Sequence, residues 1–307
     1  MRLLLEPTPA PEAIRRRRCA LFSNPFLEPV AARMVKLAMN ELTTYRWSFE
    51  EDVLAVSQLG FSGIGLWRPK LMEYGTEKAQ ELLAEQGLAV SSVSWAGGFT
   101  GSDGRSYHES LCDALDAVQT AAQVGASTLI LLSGGRNNHT KNHARRMILS
   151  AFAELGEAAD AVGVSLAVEP MHPGCGAEWT IVNDVRQTLE VIGELGRASV
   201  GLVLDTYHLG FDPTILQWLP DVVKHIRIVQ MGDGKHLPLG EQNRCLLGEG
   251  RVPLRKIVEC LLRCGYDGYL EAEVLGEEVE HLSYEHVLSH SHRFLADLIG
   301  PYCRQDA

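Results

Sequence analysis

Four apolar runs in this chain end on side chains able to bind a cation: Glu169 in "LAVEP", Asp205 in "VGLVLDTYH", Gln230 in "RIVQMGD" and Glu273 in "LEAEV". A carboxylate at the end of a buried run must reach solvent, a partner or a metal, because burying it unpaired is costly. Taken singly, a strand-end Asp or Glu is more often a helix N-cap or a solvated residue. Taken together, three carboxylates drawn to one point repel one another unless a cation sits between them. The chemistry such a set supports is the binding of one divalent metal ion.

Whether the four side chains meet depends on the elements that carry them. Apolar, strand-like runs lie at 35–42, 62–67, 88–95, 127–133, 164–169, 200–205, 225–231 and 268–274. Amphipathic helical stretches lie at 48–59, 69–86, 108–124, 140–161, 183–195, 214–219, 253–264 and 283–299. Several helices end in a Gly just before the next run, as in "EQGLAV" and "RCGYDG", where Gly takes the left-handed cap conformation without strain. Regular β–α alternation with near-continuous apolar strands means a parallel sheet covered by helices. The repeats predict an α/β fold of the (β/α)8 TIM-barrel type, which typically needs about 250 residues. A doubly wound open sheet would usually carry a glycine-rich phosphate turn after the first strand, and "MNELTTYRWS" has no glycine there. The predicted domain is a barrel over residues 34–307, preceded by an N-terminal extension, 1–33. In a barrel the C-terminal strand ends form the active face, and the last four strands are neighbours around the ring.

Composition narrows the function. The 307 residues are 46% hydrophobic and 22% charged, as in globular proteins, and the formal net charge is −11. An acidic chain without a long basic stripe is a poor partner for nucleic acid. The run Arg15 to Arg18 is expected to be a solvated tail. Seven cysteines, an odd count with no CxxC pair, fit free thiols in a reducing compartment. No stretch has the length of a signal-peptide core or a membrane span, so a cytoplasmic protein without membrane contact is expected.

Residues 34–300 resemble the xylose isomerase-like TIM-barrel superfamily of sugar isomerases and epimerases. The resemblance is carried by "EP" after the fifth strand, "LDTYH" on the sixth, "VQMGD" on the seventh, "NR" and "GEG" within 243–250, and "GYDGYLEAEV" on the eighth. It implies one divalent metal held by Glu169, Asp205, position 230 and Glu273. It also implies that the metal-bound Glu169 and Glu273 are the acid–base pair on opposite faces of the substrate. His208 and Arg244 are implied substrate contacts, and a homo-oligomer is implied by analogy. Gln230 stands where most members have His. Members resembling dehydroshikimate dehydratases carry Gln there, and the all-oxygen set favours Mn²⁺ or Mg²⁺ over Zn²⁺. Glu271 is expected on the opposite face of its strand from Glu273 and outside the ligand set.

Beyond the resemblance, Trp67 and Trp95 end the second and third strands, where a flat apolar face suits a sugar ring, although core packing would explain either. Arg136, His139, His172, Lys235 and His236 are lesser candidates on the loops. The expected function is proton removal beside the carbonyl of a keto-sugar or polyol-derived ketone, passing through an enediolate. Isomerisation or epimerisation is the first expectation. A dehydratase or lyase acting on a cyclic keto-polyol is the second, because of Gln230. A non-catalytic sugar-binding barrel would have a broken ligand set. A three-metal nuclease would need histidines that the first four strands lack.

Overall fold

The computed structural model of the protein describes residues 35–303, so the extension expected at 1–33 and its arginine run lie outside the described residues. Eight strands pair in parallel and in chain order into a closed barrel: β1 (Lys36–Asn40), β2 (Gly63–Trp67), β3 (Ala89–Gly97), β4 (Thr128–Leu132), β5 (Ser165–Val168), β6 (Val200–Asp205), β7 (Ile226–Met231) and β8 (Tyr269–Ala272). β8 closes on β1, with Ala38 opposite Glu271. Between the strands run α1 (Phe49–Gln58), α2 (Arg68–Tyr74), α3 (Thr76–Gln86), α4 (Tyr107–Gln123), α5 (Lys141–Val162), α6 (Pro173–Gly176), α7 (Val185–Leu195), α8 (Thr206–Leu209), α9 (Ile215–Val222), α10 (Leu254–Arg263) and α11 (Tyr284–Cys303). The TIM-barrel reading is right, and every strand-like run holds a strand.

Local chemistry sets the boundaries. Capping boxes start α1 (Ser48 with Glu51) and α4 (Ser106 with Glu109), each satisfying otherwise unpaired N–H groups. The stretch 69–86 is two helices rather than one, because the backbone turns at Gly75 with φ +96°. β1 ends at Asn40 and not at Leu42; the Asn40 side chain accepts the Leu42 N–H and starts a 3-10 turn, Glu41–Thr44. Two one-turn helices, α6 in the loop after β5 and α8 directly after β6, have no counterpart in the predicted elements.

The barrel interior is filled at one level by Ala38, Ile130, Ala167, Val203, Ile228 and Tyr269. Side chains on a strand alternate faces, so a residue two further on points into the same interior. That step leads from Ala167 to Glu169, from Val203 to Asp205, from Ile228 to Gln230, and from Tyr269 through Glu271 to Glu273. The apolar layer thus sets the site residues above it. Glu271 and Glu273, two apart, share a face. The expectation that Glu271 points the other way is corrected by the fold: it lies inside the barrel, inaccessible to solvent.

Candidate active site at the ends of the last four strands

Glu169, Asp205, Gln230 and Glu273 are all buried at the C-terminal ends of β5 to β8. The amides of Glu169 and Glu273 extend the sheet hydrogen bonding, to Leu131 O at 3.1 Å and Met231 O at 3.0 Å, which fixes both side chains at the rim. Asp205 is opposite Gln230 in the β6–β7 register. Gln230 Nε2 donates to Glu273 Oε2 at 2.7 Å.

Asp205 does two things at once. Its Oδ1 caps α8, accepting the N–H groups of Tyr207 at 2.6 Å and His208 at 3.4 Å, while Oδ2 accepts from Arg244 Nη2 at 2.7 Å. The cap reading holds for this residue, and its second oxygen is turned to Arg244. Arg244 is fully buried, and the same Nη2 lies 3.0 Å from Glu273 Oε1. Its guanidinium lies over the Tyr207 ring at 4.7 Å, a cation–π contact, and Nη1 donates to Gln242 Oε1. Tyr207 in turn accepts the Asn243 N–H at 3.0 Å, anchoring the segment that delivers Arg244. Tyr207 and Gln242 escape a sequence reading, since neither carries a pattern that points to Arg244.

One guanidinium does not neutralise this set. Burial, then the neighbouring Asp205 and Glu273, holds the Glu169 carboxyl well above the usual range. Burial against the pull of Arg244, with Asp205 and Glu271 adding repulsion, puts Glu273 at about 7. Burial also raises Asp205, but Arg244 and His208, with the Tyr207 N–H, outweigh it and keep that carboxyl ionised. His208 is pushed down to about 4 by burial, so its ring is neutral and one nitrogen carries a lone pair. Its Nδ1 lies 3.7 Å from Cys175 Sγ, and its Nε2 is 3.9 Å from both Glu169 Oε1 and Asp205 Oδ2.

Within this site, the buried Gln230 Oε1 and His208 Nε2 have no hydrogen-bond partner, as is also true of Glu41 Oε1 and Asp52 Oδ1 elsewhere in the fold. Buried polar atoms without partners are rare in folded proteins. Ligand atoms of Glu169, Asp205 and His208 lie within 4.8 Å of one another, close enough to share one ion. Three carboxyls that can all ionise only beside a further cation, together with these unpartnered lone pairs, fit a divalent ion, with the Gln230 oxygen and the carboxylates as donors.

The remaining candidates are placed apart from this ring. Trp67 and Trp95 line one cavity of 420 Å³ together with Arg68, Arg105 and Asp113. Trp95 also meets Trp179 edge-on, with ring centroids 5.3 Å apart. Trp179 and Gln242 line a second cavity, of 610 Å³, with Cys175. His172 accepts the Gly174 N–H at 3.1 Å and caps α6, His139 Nε2 is 3.1 Å from Thr100 O, and Lys235 pairs with Glu278 at 2.6 Å. Arg136 is exposed. Asp233 takes four backbone N–H groups, from Gly234, Gly248, Gly250 and Val252, at 2.8–3.1 Å, and so ties down the "GEG" loop.

Comparison with known proteins agrees with this architecture. The chain is 23% identical over 288 residues to an inosose isomerase of Bacillus velezensis, covering 89% of this chain and 100% of that one. It is 26% identical over 216 residues to a ketose 3-epimerase of Arthrobacter globiformis, covering 67% and 70%. The solved structure of the IolI protein with a binding zinc atom superimposes with a TM-score of 0.77 at 21% identity, covering 87% and 99%. The family model for the xylose isomerase-like TIM barrel matches residues 53–298, and the chain belongs to that family.

Proposed function

We propose that this enzyme is a divalent-metal-dependent isomerase or epimerase acting on a keto-sugar or on the ketone of a cyclic polyol. The observation that carries the reading is the ring itself: three buried carboxylates on adjacent strand ends, one guanidinium among them, and a buried amide oxygen without a partner. The names of the inosose isomerase and ketose epimerase relatives support the substrate class. Glu169, Asp205, Gln230 and Glu273 would hold the ion, Mn²⁺ or Mg²⁺ by the chemistry of an all-oxygen set; the zinc atom of the IolI structure supports a metal in a protein of this fold. When bound, such an ion supplies Lewis-acid stabilisation of the negative charge that develops on a ketone and its neighbouring hydroxyl.

The chain's own residues do the rest. Held beside a cation, Glu169 and Glu273 would ionise and serve as two bases in a water-poor site. One takes the proton beside the carbonyl; the other returns a proton to the opposite face or the adjacent carbon. Arg244 keeps one buried N–H unpartnered, at Nε, and with His208 Nε2 it is assigned to the substrate oxygens. Trp67 and Trp95 are assigned to the apolar face of the substrate. Among the described residues no helix is long and apolar enough to cross a membrane, and the free thiols of Cys175, Cys245 and Cys260 suit the cytoplasmic location we propose. A second reading, elimination from a cyclic keto-polyol, is favoured by Gln230 alone.

The test is a panel of inososes, ketoses and dehydroshikimate in D₂O, with Mn²⁺, Mg²⁺ or Zn²⁺ added. Turnover with solvent deuterium incorporated beside the carbonyl, or a primary isotope effect there, supports the reading. Turnover with neither, by a hydride shift between carbons, removes the roles given to Glu169 and Glu273. Loss of water from dehydroshikimate would select the second reading.

A further inference from the structure

Beneath the ring sits a fourth buried acid, Glu271, which the proposed chemistry does not use. It has no solvent-accessible surface. Its Oε1 accepts from Asn40 Nδ2 at 2.7 Å, and its Oε2 accepts from Ser91 Oγ at 2.6 Å and Ser92 Oγ at 2.9 Å. Gly65 makes room for the carboxylate, since a Cβ there would lie 2.5 Å from Oε2. Positions on β1, β2 and β3 are therefore committed to holding one carboxylate. A buried charge is costly even when hydrogen-bonded, so an apolar residue would serve packing better.

Gln230 is the neighbour that gives this carboxylate a use. It is the register partner of Glu271 across the β7–β8 pair, so the two side chains lie side by side on the inner face. An amide has an N–H₂ at one end and an oxygen at the other, and only its surroundings decide which faces where. Here Nε2 is turned to the acids and donates to Glu273, which leaves Oε1 buried without a partner. The reversed amide would set Oε1 against the carboxylate oxygens of Glu271 and Glu273, lone pair to lone pair.

We propose that Glu271 is a positioning residue: held by Asn40, Ser91 and Ser92, it acts with Glu273 to lock the Gln230 amide with its nitrogen toward the acids and its oxygen toward the cation site. This rests on the reading of Gln230 as a ligand. Glu271→Gln supplies an N–H₂ that competes for the Gln230 oxygen, so metal affinity falls although no ligand is lost.

The experiment is calorimetric titration of the metal-free protein with Mn²⁺ alone, for the native sequence, Glu271→Gln, Gln230→Ala and the double variant. Expected is a rise in Kd of about tenfold for Glu271→Gln in the native background, the scale for groups that orient a ligand. With Gln230→Ala already present, Glu271→Gln should change Kd by less than about twofold, since the coupled partner is gone. Equal weakening in both backgrounds would mean that Glu271 acts only through its charge, and no weakening would mean that it does not act; either overturns the proposal. Should Glu271→Gln fail to fold, Ser91→Ala loosens the same carboxylate and keeps its charge. It must then weaken Mn²⁺ binding in the native background and not with Gln230→Ala. Folded native protein that binds no Mn²⁺ overturns the metal reading and this inference together, whereas native binding without the coupling overturns this inference alone.

Discussion

Two clusters of buried charge sit near the C-terminal ends of the strands, and they are built to opposite ends. Beside β1 and β2, Lys70 Nζ donates to Asp52 and to Thr44 O at 2.8 Å, and Glu41 Oε2 accepts the Trp67 N–H at 2.6 Å. Burial and the adjacent Asp52 hold Glu41 well above the usual carboxylate range, so it keeps its proton, and Asp52 with Lys70 leaves no net charge. At β5 to β8 three carboxyls face one guanidinium, and two of them, Glu169 and Glu273, are raised because all three cannot ionise around a single cation. Both are buried, both contain a cation, and both have raised carboxyls. The difference is the charge ratio: the first has two carboxyls to one cation and the second has three, so full ionisation of the second would need a further cation.

The largest effect that separates them is on stability. Lys70→Met leaves Asp52 buried without its partner and should cost about 3–5 kcal/mol, the scale for breaking a buried pair from one side. Thermal unfolding measures it, and Mn²⁺ affinity of the folded variant should not change; a parallel loss of affinity would show that the two clusters are not independent. Glu273→Gln is the mirror case. It removes repulsion along with a base, so the melting temperature should hold or rise while turnover drops by about 10²-fold or more. A variant that unfolds as readily as Lys70→Met would place Glu273 with the structural cluster.

Protonation sharpens the contrast. Glu273 stands at about 7 in the fold against 4.5 ordinarily, so across that window the native state keeps a proton that the unfolded chain releases. The unfolded state binds fewer protons there, and the Glu273 contribution to the stability of the metal-free protein should be lost as pH rises through the window. Melting curves from acid to neutral pH, repeated with saturating Mn²⁺, should show the slope reduced by the ion. The share of the slope due to Glu41 should survive, since no ion reaches the first cluster. A slope unchanged by Mn²⁺ would speak against binding among the carboxylates.

The smallest effect belongs to Gln230. As a neutral donor it adds no charge, so Gln230→Ala should raise the Mn²⁺ Kd by about tenfold without abolishing binding. Asp205→Ala should weaken it far more. Gln230→His should keep a working site and move its preference toward Zn²⁺, because imidazole is the softer ligand. If Gln230→Ala binds Mn²⁺ as the native protein does, the β7 ligand must be sought elsewhere.

Much of this was written locally. Alternation of apolar runs and amphipathic stretches dictates a parallel barrel, because strands buried on both faces need helices to cover them. The two-residue repeat then carries Val203 to Asp205 and Ile228 to Gln230, so the strand-end acids and the amide can be read off as one inward-facing set. The same rule, applied from Glu273, puts Glu271 inside as well. What it serves stays hidden, for its partners Asn40, Ser91 and Ser92 stand 231 to 179 residues away and are delivered only when β8 closes on β1. The break at Gly75 and the one-turn helix capped by Asp205 depend on loops whose paths are set by packing. So does the depth of Arg244, which owes its place among the carboxylates to the Tyr207 ring and to the Asn243 N–H held by that tyrosine. Periodicity along a strand is a property of neighbours in sequence and survives in one dimension. Which charge meets which across the barrel is decided by closure, and only the folded chain brings those partners together.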